Sequence, residues 1–307
     1  VAQVAFGMQL PIQSQSTIFV QPWEASAGVD ELVAVARACE RAGFDYVAVC
    51  DHVAVPVAQA ASMGSEWWDT IATLAYLAAV TDRVRLLSHV YVLPYRHPLA
   101  AAKAWATLDA LSHGRAILGV GAGHVAGEFE ALEVPFAERG RLLDEAIDAV
   151  RAALDHEVPV HAGPRWSFDG MAQRPRPQQA RLPIWVGGSS KPAMRRAAER
   201  GDGWLPQGPP EGGMAAGIDF IRSHRAATVG DAPITIGALS GPLHVGDPTW
   251  DAPRCVRGPA EKLAGYLRTY RDLGVDQVQV GFVSRSADEL CDQIAAFAAE
   301  VAPLVND

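Results

Sequence analysis

One short phrase recurs along this sequence and limits the folds open to it. A helix-like stretch ends at glycine, one or two residues follow, and an apolar run of strand length begins. The phrase stands at residues 42–49, 113–120, 200–205 and 273–280. Glycine fits the left-handed turn that ends many helices, so each copy reads as a helix handing over to a strand. Filling in the chain between the copies gives eight apolar strands, each followed by a helix. Parallel strands need a crossover of about helix length, so this alternation implies a parallel sheet. Eight units in 307 residues point to the α/β class and a closed (β/α)8 TIM barrel, one domain over 1–307. The alternative is an open doubly wound sheet. That sheet calls for a Gly-x-Gly-x-x-Gly turn after the first strand, where this chain has Gln9-Leu10-Pro11-Ile12.

The strands are expected at 4–10, 44–50, 83–93, 116–120, 183–186, 203–205, 234–239 and 276–282. A polar loop is expected over 12–28, and a loop of small residues between Asp51-His52 and a helix over 66–80. Val29, Leu32, Val33, Ala36 and Cys39 form an i, i+3, i+4, i+7 stripe, as do Leu142, Leu143, Ile147, Val150 and Leu154. Pro259 opens a helix with Leu263, Leu267, Tyr270 and Leu273 inward. Ser286 and Glu289 form a capping box for the last helix, with Leu290, Ile294, Phe297 and Val301 on its apolar face. Residues 156–182 break the rhythm with prolines and an alternation around Val158, Val160, Trp166 and Phe168. They read as a β-hairpin insertion.

Composition removes several classes of function. A net charge of -9 argues against a nucleic-acid partner or an anionic membrane surface, either of which favours a basic face. No apolar run reaches bilayer-spanning length. The first residues lack the basic-then-apolar pattern of a signal peptide. Cys39, Cys50, Cys255 and Cys291 show no Cys-x-x-Cys spacing and read as small core residues in a reduced, cytoplasmic protein.

In a parallel barrel, chemistry gathers at the strand C-termini. Those ends present Asp51-His52, Ser88-His89-Val90, the run from Gly121 to His124, and Gly187-Gly188-Ser189-Ser190. At Asp51-His52 an imidazole able to relay a proton near neutral pH stands beside a carboxylate; a strand-end cap is the plainer reading. Gly187 to Ser190, before a helix opened by Pro192, reads as an anion nest or as a tight turn. Gly121-Ala122-Gly123 offers either an open floor for a flat ring or close helix–strand packing. Metal ligation by His52, His89 and His124 is disfavoured, because the first strand lacks the His-x-His pair of metallo-hydrolase barrels, so no metal is expected.

Several phrases then match a family in order: Asp51-His52-Val53; Leu93-Pro94-Tyr95-Arg96-His97-Pro98; Ala102-Lys103, and Thr107 through Arg115; Leu118-Gly119-Val120-Gly121-Ala122-Gly123; Phe136-Ala137-Glu138-Arg139; Pro175-Arg176-Pro177-Gln178; Pro183-Ile184-Trp185-Val186-Gly187-Gly188; and Gly201-Asp202-Gly203-Trp204. In these the chain resembles the bacterial-luciferase-like flavin and deazaflavin oxidoreductases, particularly the branch that uses coenzyme F420. The resemblance implies a barrel with an insertion, commonly a homodimer, holding an isoalloxazine-like ring at the strand C-termini. It implies a non-proline cis peptide ending the third strand, at His89-Val90 or else at Ser88-His89, with Val90 backing the ring. Gly121 and Gly123 would lie beside the ring, Gly187, Gly188 and Ser189 would take the cofactor phosphate, and Asp51 would help bind the ring. His52 matches the proton-transferring histidine of several members, with His124 a second candidate.

Two departures stand out. His124 occupies the place of a glutamate in sugar-phosphate and alcohol dehydrogenases of the branch. Their tryptophan a few residues after the Asp-His pair is replaced by Val55-Pro56. The activity implied is hydride transfer between the deazaflavin C5 and a small organic molecule. The alternatives are an FMN-dependent monooxygenase and a non-catalytic F420 carrier. Trp67, Trp68, Trp166 and Phe168 are candidates to wall the substrate side.

Overall fold

The computed structural model describes residues 3–16 and 20–307. Eight parallel strands close a barrel: β1 (Ala5–Gln9), β2 (Tyr46–Val49), β3 (Arg85–Ser88), β4 (Ala116–Gly121), β5 (Ile184–Gly187), β6 (Gly203–Leu205), β7 (Thr235–Leu239) and β8 (Gln277–Val280). Each pairs with its neighbour in chain order, and β8 returns to β1 in the register Ala5↔Gln277 to Met8↔Val280. One principal helix follows each strand: α1 (Val29–Arg41), α2 (Thr70–Val80), α3 (Pro98–Leu111), α4 (Arg139–Asp155), α5 (Lys191–Arg200), α6 (Gly213–Thr228), α7 (Ala260–Asp272) and α8 (Ala287–Ala296). Gly43 and Gly274, which close α1 and α7, lie at φ 74° and 81°. There a side chain would be strained, which is the physical content of the recurring phrase.

Alternation within the strands divides the apolar residues between two cores. Tyr46, Ala48, Leu87, Ile117, Trp185 and Leu205 fill the barrel interior. Val47, Val49, Leu86, Leu118, Ile184 and Val186 face the helices. Tyr46 and Trp185 meet edge to face at 5.6 Å, and glycines opposite make room for them. A Cβ on Gly7 would lie 2.2 Å from the Tyr46 ring, and one on Gly203 2.5 Å from Trp185.

Above this apolar plug runs a polar string. The Tyr46 hydroxyl donates to Gln279 Oε1 at 3.4 Å, Gln279 Nε2 donates to His89 Nδ1 at 3.3 Å, and His89 Nε2–H donates to the Leu205 carbonyl at 3.2 Å. Burial pushes the His89 imidazole down to about 4, against the opposing effects of the Leu205 and Gln279 hydrogen bonds. The folded value lies below the ordinary 6.5, so this neutral histidine favours folding above about pH 6.5, and that contribution is lost as pH falls toward 4. The expected loss is about 3 kcal/mol. Denaturation of the native chain and of His89→Gln across pH 7 to 4 should show the steeper decline in the native chain; parallel curves would contradict it.

Several sequence expectations are corrected. The strand expected over 83–93 breaks at Ser88, resumes as a two-residue ladder at Tyr91–Val92, and turns into a 3-10 helix at Leu93–Tyr95. The loop expected after His52 contains a helix, Val57–Met63, that buries none of its residues. The next helix starts at Thr70 rather than 66, because the Asp69 carboxylate caps it, accepting from the Ala72 amide at 2.8 Å. The buried face of α1 is Leu32, Val35, Ala36, Ala38 and Cys39, with Val29 41% exposed. Leu273 lies beyond α7 and is also exposed. The insertion is a hairpin of two residues a side, His161–Ala162 against Ser167–Phe168. A parallel ladder of Leu243–Val245 with Val256–Gly258 was not expected. Of the loop expected over 12–28, residues 17–19 lie outside the described ones, and Pro22–Ser26 is a 3-10 turn.

All four cysteines are free thiols. Among the described residues no helix is long and apolar enough to cross a membrane, and no three His, Cys, Asp or Glu side chains group as a metal site would require.

Candidate active site

The barrel mouth is built from the ends of β2, β3, β4 and β5. At the end of β2, Asp51 is buried and its carboxylate is fully engaged. Arg96 donates from Nη1 to Oδ2 at 2.6 Å and from Nη2 to Oδ1 at 2.8 Å. The Val92 amide adds 2.7 Å to Oδ2 and the Thr70 hydroxyl 3.0 Å to Oδ1. The Arg96 guanidinium also stacks 3.9 Å over the Tyr91 ring. This two-pronged pair ties β2 to the segment after β3. With its carboxylate so occupied, Asp51 acts on the mouth through the backbone it anchors.

His52, the next residue, lies in a ring of polar and aromatic neighbours. Its Nδ1 is 2.9 Å from Oε2 of Glu128, and its ring centre lies 4.4 Å from that of Trp67 and 5.7 Å from that of His124, which it meets edge to face. Nε2 has no protein partner among the described residues. Glu128, in the short helix Ala126–Ala131, is wholly buried. It accepts the Tyr95 hydroxyl at 2.8 Å on Oε2 and, on Oε1, the Ala54 amide at 3.1 Å and the Val53 amide. Burial alone would raise its carboxyl. The hydrogen bonds from His52, Val53 and Tyr95, together with the field of His52, outweigh that and hold it below the ordinary range, so it stays a carboxylate. Desolvation, then the neighbouring His52, lowers His124, with Glu128 opposing.

The peptide His89-Val90 is cis, the first of the two bonds that the resemblance implied. The side chains on its N-terminal side point away from the mouth. Ser88 Oγ donates to the Gly119 carbonyl at 2.8 Å and accepts the Gly119 amide at 3.0 Å, and His89 reaches into the barrel interior. Val90 is what projects at the mouth, and it explains two glycines. A Cβ on Gly121 would lie 2.3 Å from Val90 Cγ2, and one on Gly187 2.5 Å from Val90 Cγ1. Gly121 and Gly187 therefore grip Val90 from either side. Gly123, at φ 76°, is packed under Phe129 and Val92, so the packing reading applies there.

At the β5 end, Gly188 lies at φ 93° with its carbonyl accepting Trp204 Nε1–H at 2.9 Å. Ser190 caps α5 through the Ala193 amide at 3.4 Å. Among the described residues the amides of Ser189 and Ser190 have no protein partner, which leaves donors and a helix start for an anion. Trp166 and Phe168 are buried, Trp166 as part of the main core, whereas Trp67 touches His52.

The chain order hid three residues of this site. Arg96 and Tyr95 stand inside a matched phrase that assigns them no role, and Glu128 lies outside every matched phrase. The one available signal was an acid wedged between Gly127 and Phe129 four residues after His124.

Comparison with known proteins agrees with this geometry. The family model "Luciferase-like monooxygenase" matches residues 5–278. An uncharacterized protein of Mycobacterium tuberculosis is 30% identical over 283 residues, covering 88% of this chain and 93% of that protein. An FMNH(2)-dependent dimethylsulfone monooxygenase of Pseudomonas fluorescens is 29% identical over 216 residues, 69% of this chain and 57% of that one. The coenzyme F420-dependent tetrahydromethanopterin reductase of Methanopyrus kandleri superposes with a TM-score of 0.74 at 18% identity, over 98% of this chain and 99% of the other. Barrel, mouth and sequence together establish that the chain belongs to the luciferase-like monooxygenase family.

Proposed function

We propose that the protein is an F420-dependent oxidoreductase that moves a hydride between a deazaflavin and a small organic substrate. The observation that carries this reading is His52, held on Nδ1 by Glu128 and unpartnered on Nε2, at a strand end of the barrel mouth. Hydride transfer to or from a carbon–oxygen bond moves a proton as well, and a held imidazole is suited to handle it. A bound deazaflavin supplies a ring carbon that takes or gives the hydride.

The residues fit such a group. Val90, locked between Gly121 and Gly187, presents an apolar face for a ring. The free amides of Ser189 and Ser190, beside the open turn at Gly188, suit the cofactor phosphate. His52 and, beside it, His124 flank the space in which a substrate would lie. The resemblance supports a homodimer as the working form, and the scattered, unpaired cysteines support a reduced, cytoplasmic setting. The Pseudomonas fluorescens relative favours a second reading, an FMN-dependent monooxygenase. A fluorescence-quenching titration with F420 beside FMN separates the two.

A further inference from the structure

We infer that Glu128 is a positioning residue that fixes the tautomer of His52, so that Nδ1 carries the proton and Nε2 is the proton-accepting atom. The inference rests on the reading of His52 as the proton-transferring group and deepens it. A carboxylate can only accept hydrogen bonds. Glu128 receives four partners: the Val53 and Ala54 amides, which can only donate, on Oε1, and on Oε2 the Tyr95 hydroxyl, which donates from 2.8 Å, and His52. Nδ1 of His52, 2.9 Å from Oε2, must then donate too, and the neutral ring keeps its lone pair on Nε2.

The chemistry follows. An alcohol oxidised to a carbonyl loses a hydride from carbon and a proton from oxygen. The C–H and O–H bonds break and the second C–O bond forms. Oxidised deazaflavin is the hydride acceptor, and Nε2 takes the proton. In reduction the imidazolium returns that proton to the carbonyl oxygen. The carboxylate also stabilises the imidazolium, so Glu128 serves both directions.

Glu128→Gln tests this because the site dictates how the amide must sit. The Val53 and Ala54 amides require an oxygen at the Oε1 position, so the NH2 group takes the Oε2 position. There it donates to Nδ1 of His52 and drives the ring proton onto Nε2, the wrong atom for accepting one. Tyr95→Phe removes a neighbour of the same carboxylate without that reversal.

The readout is the ¹⁵N resonances of the His52 ring in the protein without cofactor or substrate, assigned by loss in His52→Ala. The native protein at neutral pH is expected to show a protonated Nδ1 and a bare Nε2, Tyr95→Phe the same pattern, and Glu128→Gln the reverse. With turnover, Glu128→Gln should lose about 10²–10⁴-fold in kcat with KM little changed. A native ring protonated on Nε2 overturns the inference, as does an unreversed pattern in folded Glu128→Gln. The native spectrum decides even if that variant does not fold. Because it is read without cofactor, a failed F420 titration leaves this result standing, and a wrong tautomer leaves the choice of cofactor untouched.

Discussion

His52→Ala is expected to lower kcat by about 10²–10⁴-fold, the range removed with a general acid or base, and to leave cofactor affinity within a few-fold. The two effects separate because of where the side chain stands. His52 contacts Trp67, His124 and Glu128, whereas the features suited to the cofactor, Val90 and the Ser189 and Ser190 amides, lie on the segment after β3 and at the end of β5. Truncation also leaves Glu128 with the Val53, Ala54 and Tyr95 donors, so the carboxylate remains satisfied and the loop holds. Steady-state kinetics beside a binding titration measures the split. Unchanged turnover would move the proton-transferring role to another group, and His124, its neighbour, is the next to test. Complete absence of any substrate-driven change in the cofactor's redox state, with binding intact, would favour a carrier.

The second large effect is on stability. Arg96→Met is expected to cost about 3–5 kcal/mol, because it leaves the Asp51 carboxylate buried without its cation. The Asp51 side chain is only 2% exposed, and both of its oxygens take a guanidinium hydrogen bond. The variant also loses the stack of Arg96 on Tyr91. The Val92 amide and the Thr70 hydroxyl remain as partners but carry no charge. Asp51→Asn added to Arg96→Met should recover part of the loss, since a neutral amide is less costly to bury than an unpaired carboxylate. Denaturant unfolding of the three proteins reads this directly. A cost below about 1 kcal/mol would mean that water reaches the pair and screens it, as at an exposed ion pair.

Much of the architecture is legible in the chain because the features that encode it are local. A glycine after a helix, an apolar run, and a proline or serine opening the next helix are each set by a few adjacent residues. Eight such units leave few topologies other than a closed barrel. What fails is also local in origin. Val57–Met63 buries nothing, so no apolar stripe announces it. The ladder of Leu243–Val245 with Val256–Gly258 joins three-residue pieces across a loop, too short to show an alternation. In α1, Val33 and Val35 are both apolar, and sequence alone does not say which faces inward.

The site was legible to a different degree. Asp51-His52 follows β2 at the barrel mouth, and the cis peptide falls at His89-Val90, one of the two bonds that the resemblance implied. The partners that give those residues their character do not follow from order along the chain. Glu128 reaches His52 across 76 positions, Arg96 reaches Asp51 across 45, and Gln279 reaches His89 across 190. Each bond exists only because the barrel brings separate strand ends together. The glycines show the same limit. Gly121 and Gly187 read in sequence as room for a ring and a phosphate, and in three dimensions both make room for Val90.

A mouth suited to a deazaflavin should prefer F420 to FMN. Equilibrium binding read by quenching, with oxidised F420 and FMN titrated side by side into the same preparation, tests it most directly. Saturable binding of F420, with FMN at least tenfold weaker, is the predicted result. Tight binding of FMN with none to F420 would contradict it.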